Sequence, residues 1–151
     1  MADRINILIV AGAMNKKFIS KIAPLANLAK IQTIYVANRQ PITFHKVISL
    51  HPPKVFRKSL LTAELYRFFR ILSLMITQRV DIIMGIYLIP HGIIAGMIGK
   101  IFRKPVIQTI IGNDFHRALK NKLVFKFIKD ADIVITRGAN TKHMLISRSI
   151  P

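Results

Sequence analysis

Short runs of branched apolar residues alternate along this chain with longer stretches whose apolar positions recur every three or four residues. The runs "RINILIVAG", "IQTIYVANR", "KVISLH", "DIIMGIYL", "PVIQTII" and "DIVITRG" are too uniformly apolar for strands with one wet face. They predict strands covered on both faces, as in parallel sheets. Between them "NKKFISKIAPLANLA" predicts a helix with Phe18, Ile19, Ile22, Leu25, Ala26 and Ala29 inward, Asn15 as its cap and Pro24 near its end. "SLLTAELYRFFRILSLMITQ" predicts a long helix with Leu61, Leu65, Phe68, Leu72, Met75 and Ile76 along its buried stripe. "PHGIIAGMIGKIFR" predicts a helix with Pro90 in its first turn. "DFHRALKNKLVFKFIKDA" predicts one helix with Leu119, Leu123, Val124, Phe127 and Ile128 inward, and "NTKHMLISRS" a last one. The predicted order is β-α-β-β-α-β-α-β-α-β-α. The fold class is therefore α/β: a Rossmann-like three-layer domain with a mostly parallel sheet of about six strands and helices on both faces.

Composition adds a second theme. Lys and Arg number 24 against six acids, a net charge of +18. The cations are spread among apolar residues, which excludes a disordered basic tail and points to an anionic partner. No RRM, KH, helix-turn-helix or zinc-finger pattern accompanies them, so no specific nucleic-acid role is expected. Absence of cysteine excludes disulfide and thiolate chemistry and suits a reducing cytoplasm. No signal peptide is expected, because the first apolar run has an acid before it and lysines after it. The segment Ile82 to Phe102 is apolar but interrupted by Pro90, His91 and glycines, so strand plus buried helix explains it better than a membrane span. A face with Tyr66, Arg67, Phe69 and Arg70, and Phe56, Arg57 and Lys58 nearby, has the make-up of a surface that lies on anionic lipid; a solvated amphipathic helix is its plain alternative.

Ligands of open parallel sheets bind beyond the carboxyl ends of the strands, near helix starts. Four loops qualify. "AGAMNKK" offers Gly12, Ala13, Asn15 and Lys16 to phosphates, though it lacks G-x-G-x-x-G and a Walker A pattern. "YLIPHG" brings His91 and Gly92 to a helix start, where the dipole favours neutral imidazole. "IIGNDFHR" brings Gly112, Asn113 and Asp114 to the next helix; Asp114 either caps it or accepts sugar hydroxyls. "TRGAN" puts Arg137 at a strand end, as a phosphate ligand or a solvated cation. No metal-ligand spacing and no nucleophile elbow are present, so no metal site is expected.

The order of "DIIMGIYLIPHGIIAGMIGKIFRKPVIQTIIGNDF" and "DADIVITRGANTKHMLISRSIP", with "KIAPLANLAKIQTIYVANRQP" before them, resembles the N-terminal, acceptor-side domain of family 4 glycosyltransferases with the GT-B fold. The resemblance implies one Rossmann-like domain over residues 1–151, with the donor-binding C-terminal domain and its E-x7-E motif absent. It implies a retaining, metal-free transfer of a hexose in glycan, polysaccharide or glycolipid biosynthesis. His91 and Asp114 would be catalytic, and Gly92, Gly112, Asn113 and Arg137 would bind acceptor. Gly12, Ala13, Asn15 and Lys16 would face the donor phosphates. No cofactor is expected on this chain; the nucleotide sugar is co-substrate of the complete enzyme. Expected partners are a sugar or lipid-linked acceptor, a donor-domain half or separate subunit, and an anionic membrane surface. The expected location is the cytoplasm, with the inner face of the membrane as a peripheral site. Alone the chain should not turn over; a split-enzyme subunit or a non-catalytic membrane-surface module are the alternatives. Ile111 stands where the family usually has histidine, Met84 and Ile86 where it often has H-x-H, and Gly12 alone where it usually has Gly-Gly.

Overall fold

The computed structural model describes residues 4–12, 15–111 and 114–150, the side chains of residues 15–17, 114 and 117 excepted. The chain divides into two compact units, Met1–Ile82 and Ile83–Pro151.

In the first unit β1 (Ile5–Ala11) is followed by α1 (Asn15–Ala26), β2 (Ile31–Ala37), β3 (Val47–Ser49), a 3-10 turn (Lys54–Lys58) and α2 (Leu60–Thr77). The strands run parallel in the order β3-β2-β1, with Leu8 opposite Tyr35 and Tyr35 opposite Ile48. Leu8, Ile9 and Val10 are fully buried, as are Phe18 and Ile22 of α1. This is why the β1 run shows no alternation: both its faces are covered. At the start of β1, Asp81 ties down the chain, accepting from Asn6 N at 2.9 Å and from Arg79 Nε at 2.8 Å.

The face of α2 differs from the expected one. Its buried side chains are Ala63, Arg67, Ile71, Leu74 and Met75. Leu61, Leu65 and Ile76 are exposed, the last by 76%. The helix has apolar residues nearly all round, so periodicity allowed more than one inward stripe. The stripe that is buried contains a charge, Arg67.

The second unit holds β4 (Ile82–Ile86), a wide turn (Leu88–Gly92), α3 (Ile93–Phe102), β5 (Val106–Ile110), α4 (Asp114–Leu119), α5 (Lys122–Lys129), β6 (Ile133–Thr136) and α6 (Ala139–Ile146). β5 pairs in parallel with both β4 and β6. Leu88, Ile110, Phe115, Val124, Ile128 and Leu145 form one apolar cluster between its sheet and helices. The single helix expected after β5 is two. Asn121 interrupts it and caps α5, its Oδ1 accepting from Leu123 N at 3.0 Å and Val124 N at 3.3 Å. The new helix turns Val124 and Ile128 inward but leaves Leu123 exposed, against expectation. In all, six parallel strands with intervening helices give the Rossmann-like α/β class read from the sequence.

Candidate functional site

The second unit brings three of the predicted loops to the same edge, because parallel strands end on one side. Beyond β4 lies the turn carrying His91 and Gly92, beyond β5 the start of α4 at Asp114, and beyond β6 exposed Arg137. Gly112 and Asn113 fall outside the described residues. So does the side chain of Asp114, whose backbone opens α4.

His91 does not sit at the first residue of an α-helix, as the sequence suggested. It lies within the wide turn Leu88–Gly92, where Ile89 is extended (φ −117°, ψ 123°) and the Ile89–Pro90 bond is cis. Regular helix begins only at Ile93. His91 is 7% exposed and Gly92 is buried, so this turn is packed rather than loosely solvated.

Gln108 holds the turn. It is fully buried in the middle of β5, and its Nε2 donates to the carbonyl of Gly92 at 2.7 Å. Two glycines make room for the amide. A Cβ on Gly85 would stand 2.6 Å from Gln108 Oε1 and 2.8 Å from the Cα of Gly92. A Cβ on Gly92 would stand 2.5 Å from the same oxygen. Gly85 in β4, Gly92 in the turn and Gln108 in β5 therefore interlock, and backbone meets backbone only because neither glycine has a side chain. The amide oxygen has no N–H or O–H partner among the described residues. Its surroundings are the glycine Cα–H groups, which are weak donors.

In the first unit Gly12 is exposed just beyond β1. Ala13 lies outside the described residues. Asn15 and Lys16 form the first turn of α1, and their side chains are not among those described. What orders this edge is a residue the sequence placed on the surface. Arg67 is fully buried. Its Nη2 donates to the carbonyls of Ala11 (2.8 Å) and Ala37 (2.7 Å), the last residues of β1 and β2. Its Nη1 donates to both carboxylate oxygens of Glu64, at 2.9 Å each. One guanidinium thus ties two strand ends to α2. Burial pulls its pKa below the usual arginine range, and the charge of Glu64 opposes that shift. Arg39, two residues past β2, adds a second contact from Nε to Glu64 at 3.3 Å.

Neither Arg67 nor Gln108 was among the predicted site residues. Each had a signal. Arg67 falls in register with Ala63, Ile71 and Leu74, and Gln108 interrupts the apolar run of β5. Of the remaining members of the surface named as lipid-facing, Tyr66 and Arg57 are half-buried and the others exposed. Phe69 is exposed by 63%, Arg70 is exposed, and Phe56 stacks on Tyr66 with ring centroids 5.2 Å apart. Among the described residues no helix is long and apolar enough to cross a membrane, and no group of three His, Cys, Asp or Glu is placed to hold a metal.

The family model described as "Glycosyl transferase 4-like" matches residues 13–148 of this chain. Among solved structures, the crystal structure of a protein from Listeria monocytogenes assigned as a UDP-N-acetylglucosamine 2-epimerase superposes with a TM-score of 0.66 at 16% sequence identity. The match covers 97% of this chain and 43% of that one, so this chain spans less than half the length of its structural neighbour. No curated protein matches.

Proposed function

We propose that this chain, which belongs to the glycosyl transferase 4-like family, is the acceptor-binding half of a retaining glycosyltransferase that uses a nucleotide sugar. The observation that carries this reading is the packed His91 turn, held by Gln108 and flanked along the same strand edge by the α4 start and Arg137. A sugar needs directional partners for its hydroxyls, set on rigid elements. Here His91 orients the attacking hydroxyl and Asp114 accepts hydrogen bonds from the acceptor sugar. Gly92, Gly112 and Asn113 let the acceptor approach the backbone, and Arg137 holds an anionic substituent. At the end of β1, Gly12, Ala13, Asn15 and Lys16 face the donor diphosphate, where the α1 N-terminus supplies N–H groups and a favourable dipole. The nucleotide itself is bound by a second half, either a further domain or a separate subunit. The activity belongs to glycan, polysaccharide or glycolipid assembly in the cytoplasm.

The test is transfer of a labelled sugar from a nucleotide donor. Transfer is expected when this chain is joined to a nucleotide-sugar-binding half, and no turnover is expected from the chain alone. Turnover by the chain alone would overturn the division of labour.

A second reading concerns location. Val55, Phe56, Leu60, Leu61, Leu65 and Phe69 are exposed on the 3-10 turn and α2, in the company of Lys54, Lys58 and Arg70. Apolar side chains ringed by cations suit the headgroup region of an anionic bilayer. On this reading the chain works at the inner face of the membrane, in reach of a lipid-linked acceptor.

A further inference from the structure

The edge of the first unit carries more positive charge than its own carboxylates neutralise. Arg67 and Arg39 both engage Glu64, so two guanidiniums share one carboxylate and leave a net charge of +1. The sharing is unequal. Arg67 takes both carboxylate oxygens at 2.9 Å, whereas Arg39 makes one contact, at 3.3 Å. The only other described acid of this unit is Asp81, which is committed to Arg79 and Asn6 N at the opposite end of β1. No described carboxylate of the first unit is left for Arg39. Its Nη2 is buried and has no acceptor among the described residues.

The position of Arg39 is fixed from two sides. Its backbone N–H donates to Asn38 Oδ1 at 2.9 Å, and Asn38 is itself buried. Its Nε is held by Glu64. Yet 43% of its side chain remains exposed, so the side chain is anchored while part of it faces solvent. An oxyanion laid against that exposed part would neutralise the excess charge at the strand ends without reaching the buried Nη2.

We propose that Arg39, backed by the Glu64–Arg67 pair at the ends of β1 and β2, binds an anionic group of the acceptor: the carboxylate of an acidic sugar or a phosphate on the acceptor. This rests on the acceptor-side reading for the identity of the ligand, but not for the existence of the anion site.

Glucuronate, inorganic phosphate and UDP serve as probes, titrated into the full chain at fixed ionic strength and followed by the Nε–Hε resonance of Arg39. Arg39→Gln is compared with Lys30→Gln, which removes an equal charge from an exposed residue just before β2, at the opposite end of that strand. Saturable binding of glucuronate or phosphate is expected, weakened about tenfold by Arg39→Gln and little by Lys30→Gln, since the loss of a charge-assisted hydrogen bond exceeds that of a screened distant charge. The preferred probe tells carboxylate from phosphate. Equal weakening by both variants would reduce the site to general attraction by a basic protein and overturn the proposal. So would no shift of the Arg39 resonance. Arg39-dependent binding of UDP more than tenfold tighter than of either other probe would overturn the acceptor assignment. Because no sugar transfer is measured, an anion site here stands or falls separately from the transferase reading.

Discussion

Arg67 Nη2 lies 2.7 Å from the carbonyl oxygen of Ala37, the last residue of β2, and the same nitrogen reaches the last carbonyl of β1. A buried guanidinium is costly to desolvate, and it persists where strong acceptors surround it. Here the acceptors of its two Nη groups are the strand-end carbonyls and the Glu64 carboxylate. The first unit therefore uses one charge to fix the spacing of the two loops that follow β1 and β2.

Removing that charge should be severe. Arg67→Leu keeps the bulk but strands Glu64 and two carbonyls, and a loss of about 3–5 kcal/mol is expected. Denaturant unfolding checks it. Arg67→Lys should recover only part, because an ammonium lacks the fork that spans carboxylate and carbonyls together. Full recovery by lysine would show that charge alone, not geometry, holds the strand ends.

The glycine interlock predicts which glycine substitution a second change can relieve. Gly85→Ala drives a methyl into the Gln108 amide and the Gly92 backbone, and is expected to cost about 1–3 kcal/mol through overpacking. Gly138 has φ +92° with open space around it, so Gly138→Ala should cost about 1–2 kcal/mol, from backbone strain alone. Thermal melts of the two variants distinguish them further: pairing Gly85→Ala with Gln108→Ala should restore stability in part, whereas Gln108→Ala should not rescue Gly138→Ala.

Much of this architecture was legible in the sequence. β1 reads as an unbroken apolar run because both its faces are covered, whereas β3 and β6, whose runs predicted the same, leave Ile48, Ile133 and Ile135 exposed. The P-H-G segment reads as the first turn of a helix but forms a wide turn ahead of it. The buried face of α2 was not legible. Leu60, Leu61, Leu65, Phe69 and Ile76 point to solvent while Ala63, Ile71 and Leu74 are buried, so hydrophobicity did not discriminate between sides. The deciding residue, Arg67, counts against burial on any hydropathy scale until its carbonyl partners are known. Gln108 was hidden for the same reason: a polar residue in a strand reads as a wet position unless its hydrogen bond is seen. Asn121 carried a capping signal, but the apolar spacing continued on either side of it and masked the break between α4 and α5.

The exposed face of α2 should respond to membranes without affecting folding. Leu65→Ser combined with Phe69→Ser is expected to weaken flotation with phosphatidylglycerol-containing vesicles by about tenfold or more, since each buried apolar side chain contributes about 1.5–3 kcal/mol. The melting temperature should fall only slightly, because Leu65 and Phe69 are 49% and 63% exposed. Unchanged flotation would remove the membrane reading.

In the assembled transferase, His91→Ala should lower kcat/KM by about a hundredfold or more if the imidazole orients and relays a proton from the attacking hydroxyl. Arg137→Gln should instead raise KM for an anionic acceptor while leaving kcat nearly unchanged, as expected for binding that is equal in ground and transition states. Steady-state kinetics with varied acceptor separate the two outcomes.

The most direct test of the acceptor-side assignment is residue-resolved titration of this chain with saccharide acceptors and with nucleotide sugars. An acceptor glycan is expected to shift the His91 and Gly92 resonances in a saturable manner, while nucleotide sugars leave them unmoved. Saturable nucleotide-sugar binding at His91 and Gly92, with no acceptor response there, would contradict the assignment.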